Sequence, residues 1–215
     1  METSAARLGF YAASVAFLGA AGYCVVQLAQ VVGLARFPVA DILIYAFSLG
    51  IAVPFMIAVL ALTFTAEGER RVWASAALLL SVLYATYVTL VYAVQLASVI
   101  PATLAGGAAH ELTVYPHSMF WTLDGLGYVC MGAATALAAF AVPRESVWTR
   151  RFLLANGWIT PVVAFVYLYP QFSNGLLMLA SPWSVTACGS LLLLAAYFRR
   201  LVAPDTVVFR VLLID

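Results

Sequence analysis

The chain of 215 residues is 65% hydrophobic and only 9% charged, with a mean hydropathy of +1.04, values that exclude a soluble domain and predict an integral membrane protein. Its formal net charge of +1 comes without any basic cluster, so the phosphate-neutralising face that nucleic-acid binding requires is missing.

Crossing about 30 Å of hydrocarbon takes about 20 apolar residues in a helix, and six runs meet that length. They lie near 8–34, 41–65, 72–100, 118–142, 152–172 and 175–198, and predict an all-α, six-helix polytopic bundle forming one domain over 1–215. The first run is too long for the apolar core of a cleavable signal peptide, roughly 7–15 residues, so all six are expected to remain.

The first run carries Tyr23, Gln27 and Gln30. The second starts at Asp41 and sets Asp41, Tyr45, Ser48 and Phe55 along one side, with Pro54 freeing a helix carbonyl. An acid at a helix start also simply suits the N-terminal dipole. The third offers Tyr84, Tyr87, Gln95 and Ser98. Between it and the fourth, residues 101–117 open with Pro101, carry Gly and Ala filling, and read as a loop capping an outward-facing cavity, with His110 and His117 as solvated residues.

The fourth run is the informative one, because the helical period aligns His117, Trp121, Asp124, Tyr128 and Met131 on one stripe. A carboxylate inside a span is expensive and marks a functional position, although one acid can also serve structure by bonding a tyrosine. The fifth run holds Asn156, Gly157, Trp158 and Thr160, and the sixth Ser181-Pro182-Trp183-Ser184. Beyond it the apolar segment 207–214 is too short to span and reads as surface-lying.

Arginines set the orientation. Arg7, Arg70, Arg71, Arg144, Arg150, Arg151, Arg199, Arg200 and Arg210 fall on alternate connections, which predicts both termini on the cytoplasmic side, most simply of a bacterial inner membrane. The polar stripes then converge on the outer half. Cys24, Cys130 and Cys188 lie within spans and read as small buried hydrophobes, without a disulfide framework or zinc spacing. No cofactor or metal is expected.

Apolar and aromatic surroundings disfavour the charged form of Asp124 and make it a neutral acid able to donate a proton. Asp41 is the second candidate acid, while Trp121, Tyr128, Tyr84, Tyr87, Gln95, Tyr45, Trp183 and His117 are the candidate substrate-binding residues, their rings suited to a cationic intermediate. The segment Pro116-His117-Ser118-Met119-Phe120-Trp121-Thr122-Leu123-Asp124-Gly125-Leu126-Gly127-Tyr128 resembles one found in little-characterised six-span bacterial membrane proteins. In size, span count and isolated intramembrane acids the chain is similar to bacterial membrane-bound terpene cyclases of indole sesquiterpenoid type. That resemblance implies protonation of an epoxide or alkene on a lipophilic prenylated substrate, with Asp124 as the acid and Asp41 and Glu111 as the candidates for a second acid. A proton- or cation-coupled transporter or channel, an oligomer among them, and a non-catalytic subunit packing on a partner remain the alternatives.

Overall fold

The computed structural model describes residues 2–107 and 109–203; the apolar tail segment 207–214 and Arg210 lie outside them. Eight α-helices follow in order: α1 (Glu2–Val31), α2 (Val39–Thr65), α3 (Arg70–Val94), α4 (Ile100–Leu104), α5 (Met119–Ala141), α6 (Val147–Leu168), α7 (Asn174–Leu179) and α8 (Pro182–Val202). Six stretches are long and apolar enough to cross a membrane: Thr3–Val31, Val39–Thr65, Arg70–Leu104, Met119–Ala141, Val147–Leu168 and Gly175–Val202. The fold is all-α as expected, with two departures from continuous spans. A π-helical turn at Gln95–Val99 joins α3 to α4, and the sixth span breaks at residues 180–181 between α7 and α8. Pro182 opens α8, where its missing N–H costs nothing.

Each span packs on its sequence neighbour, and α8 returns to α1, so the six close into a ring in the order α1, α2, α3, α5, α6, α8. Small residues allow the close approach, since lipid provides no hydrophobic drive between helices and van der Waals contact must hold them. Ala13, Ala16 and Ala20 of α1 are fully buried, and a Cβ on Gly19 would lie 2.9 Å from the Gly50 carbonyl carbon of α2. Outward faces are apolar instead: Leu18, Leu79, Trp158 and Val185 are all more than 60% exposed, as side chains meeting acyl chains must be. Arginines fasten two helix ends. Arg71 Nε donates to the Ala66 carbonyl just past α2, and Arg150 Nε to the Ala139 carbonyl of α5, so cations meet the negative ends of helix dipoles.

One polar knot ties three spans together. Asn156 of α6 is fully buried, donates from Nδ2 to Thr135 Oγ1 of α5 at 3.1 Å, and accepts at Oδ1 from Thr186 Oγ1 of α8 at 3.0 Å. Both threonine hydroxyls keep backbone acceptors of their own. Asn156→Leu is therefore expected to cost about 1 kcal/mol, the scale of interhelical hydrogen bonds in membranes, because the apolar side chain strands no threonine donor. Reversible unfolding in mixed micelles measures it, and a loss above about 3 kcal/mol would mean that the knot organises the fold rather than fastening it.

Candidate functional site

Ser118 sets the position of the acid. Its extended backbone breaks from the preceding loop, and its Oγ accepts from Trp121 N at 3.1 Å and Tyr115 N at 3.3 Å, a side-chain cap that starts α5 at Met119. Asp124 then falls about 8 Å into the helix and Tyr128 about 13 Å in. The next residues shape the approach of neighbours. A Cβ on Gly125 would lie 2.5 Å from Tyr167 Cδ1, and one on Gly127 would lie 2.7 Å from Val88 Cγ2, so the two glycines admit α6 and α3 respectively.

The Asp124 carboxyl is buried and held at both oxygens. Tyr92 of α3 donates its hydroxyl to Oδ1 at 2.7 Å, and Tyr167 of α6 donates to Oδ2, also at 2.7 Å. Tyr92 and Tyr128 share a further hydroxyl contact of 3.1 Å, in which Tyr128 donates while the Tyr92 proton is given to Asp124. Trp121 Nε1 donates to the Tyr167 carbonyl at 3.2 Å, and its ring lies 4.5 Å from the Tyr167 ring, fixing that phenol against the acid.

Around this core the rings continue. Trp183, at the start of α8, stands edge-on to Tyr128 at 5.0 Å and to Tyr23 of α1 at 5.9 Å. Tyr45 of α2 lies 5.4 Å from Tyr92. All six spans thus contribute an aromatic side chain to the cluster around the one carboxyl that is buried among the described residues. Because Trp183 meets Tyr128, α8 begins at the depth of the site, which is the consequence of the break in the sixth span. The Trp183 indole N–H is buried and has no hydrogen-bond partner among the described residues.

The aromatic cluster draws in Trp121, Asp124, Tyr128 and Trp183 directly, and Tyr45 through Tyr92. Tyr84 is buried two turns before Tyr92 on α3, edge-on to Phe55 at 5.8 Å, and half-buried Tyr87 flanks Gly127. Asp41 is half-buried in the first turn of α2, one turn before Tyr45. Two expected positions differ. His117 is exposed, with a φ of 68° in the turn before the Ser118 cap, so the helical stripe does not extend to it. Gln95 is buried but serves the loop: its Nε2 donates to the Leu112 carbonyl at 2.6 Å and its Oε1 accepts from Val114 N at 3.4 Å. That clamp, with a short helical turn at His110–Leu112, folds the 3–4 connection down onto the bundle, and Glu111 stays exposed there.

Sequence reasoning did not single out Tyr92 or Tyr167, the two residues that touch the carboxyl. A signal existed for each: Tyr92 stands two turns beyond Tyr84 on the face that ends at Gln95, and Tyr167 lies three turns beyond Asn156. No family model, curated protein or solved structure matches the chain. What the site can do is read from its own chemistry. Among the described residues, no three His, Cys, Asp or Glu side chains gather as a metal ion would need. The arrangement offers one carboxyl, hydroxyls that can relay a proton to and from it, and ring faces that stabilise a cation.

Proposed function

We propose that the chain is a membrane-embedded, cofactor-free enzyme that cyclises or isomerises a lipophilic prenylated substrate, with Asp124 as general acid. The observation that carries this reading is the Asp124 carboxyl held between the Tyr92 and Tyr167 hydroxyls inside a ring of aromatic side chains from all six spans.

In the protonated form, Asp124 gives its proton to an epoxide oxygen or alkene carbon of the substrate. The resulting carbocation is stabilised over the faces of Trp121, Tyr128, Tyr167 and Trp183 while the chain closes or rearranges. Loss of a proton from carbon, taken back by the Asp124 carboxylate directly or through Tyr128 and Tyr92, completes the cycle. Atoms balance without a co-reactant, so the product is an isomer of the substrate. The indole N–H of Trp183 supplies a donor for a substrate oxygen. The positive-inside bias puts both termini in the cytoplasm and the site in the outer half of a bacterial inner membrane.

A second reading is favoured by one specific contact. The Tyr92 to Tyr128 hydroxyl pair extends a proton path beyond the acid, as a proton-coupled transporter would use. Purified protein in lipid nanodiscs, incubated with the terminal epoxide of a farnesylated indole, separates the two. The enzyme reading predicts a product of unchanged mass and new chromatographic retention. Unchanged epoxide, together with proton uptake into vesicles carrying the protein, would overturn it in favour of transport.

A further inference from the structure

The cysteines take no part in that chemistry, yet two of them meet. Cys24 of α1 and Cys188 of α8 bring their sulfurs to 3.9 Å across 164 residues of sequence. These helices are the first and last spans, and the seam between them is the one that closes the ring. Cys24 lies about 10 Å inside the end of α1, and Cys188 about 9 Å inside the start of α8, so both thiols sit within the apolar thickness of the bundle. Both are only half-buried, which leaves them open to a reagent dissolved in the lipid.

A disulfide needs the sulfurs at about 2.05 Å, so closing the gap takes about 2 Å of travel, a distance that χ1 rotation and a small helix shift cover together. The contact also borders the aromatic cluster. Tyr23 precedes Cys24, Trp183 lies five residues before Cys188, and those two rings touch at 5.9 Å. A bond between the cysteines would fix that wall.

We propose that Cys24 and Cys188 form a reversible dithiol/disulfide pair, oxidised within the membrane by a lipid-soluble quinone. Two S–H bonds break and one S–S bond forms, while two electrons and two protons reduce the quinone to its quinol. A thiol reductant reverses the step. A quinone is the oxidant class that fits, because it is a two-electron acceptor that dissolves where these thiols lie. Cys130, half-buried on α5, is the internal control. The pairing does not depend on the role of Asp124.

Reduced full-length protein in detergent, mixed with decylubiquinone and then treated with a maleimide, tests this by intact mass and by quinone absorbance. The expected result is loss of two of three alkylation sites with one quinol formed per chain, abolished by Cys24→Ser or Cys188→Ser and untouched by Cys130→Ser. Three alkylated cysteines after quinone treatment would overturn the pairing. So would a bond that forms with diamide but not with the quinone, or quinone reduction that persists in Cys24→Ser.

Discussion

Asp124→Asn is expected to lower conversion of the prenylated epoxide by at least about a hundredfold, the smaller end of what a positioned general acid contributes. The substitution preserves shape. Its amide oxygen still accepts from one phenol, and its NH2 donates to the hydroxyl oxygen of the other, so the Tyr92 and Tyr167 positions are kept while the transferable proton is lost. Asp124→Leu behaves differently, because it leaves two phenol hydroxyls in an apolar interior without their acceptor, and its loss of activity would be mixed with loss of fold. Product formed per monodisperse, folded chain is therefore the quantity to compare. Conversion by Asp124→Asn at the wild-type rate would remove the acid from the mechanism.

Gly125→Ala is the second large effect, and it removes no chemical group at all. The added methyl would stand 2.5 Å from Tyr167 Cδ1 and 2.6 Å from Cγ, so the ring has to move. Moving it breaks the 2.7 Å hydrogen bond to Oδ2 and the 4.5 Å packing on Trp121. Turnover is expected to fall about tenfold or more, since small displacements of a catalytic group are costly. Tyr167→Phe alone deletes the same hydrogen bond. The double variant should then be no worse than the more damaged single variant, a non-additivity that marks a shared cause. Full activity in Gly125→Ala would show that the position of Tyr167 is irrelevant to the acid.

The six spans and the buried acid were legible because the membrane imposes simple constraints: a minimum apolar length, and a high cost for any charge within it. What failed to read through were departures from one helical period. His117 continues the Asp124 stripe on paper, but Ser118 caps the helix and turns the chain before it. Gln95 shares a face with Tyr92, yet the π-helical turn that starts there redirects it to the loop carbonyl of Leu112. Tyr92 and Tyr167 were hidden for another reason. Tyrosines also populate membrane interfaces, so their presence in an apolar run does not say which ring reaches a carboxyl from another helix. The contact between Cys24 and Cys188 is more distant still, since no periodicity relates the first span to the last and only ring closure brings them together. Pro182 after Ser181 was the one visible mark of the broken sixth span, and its consequence, Trp183 at the depth of Tyr128, needed the packed structure.

Infrared difference spectroscopy of wild type against Asp124→Asn at neutral pH tests most directly whether Asp124 carries a transferable proton between two phenols. The expected spectrum contains the carbonyl stretch of a protonated carboxylic acid, absent from Asp124→Asn, and shifted in Tyr92→Phe and in Tyr167→Phe as each hydrogen bond is removed. A carboxylate band in its place, unchanged by either tyrosine substitution, would contradict it.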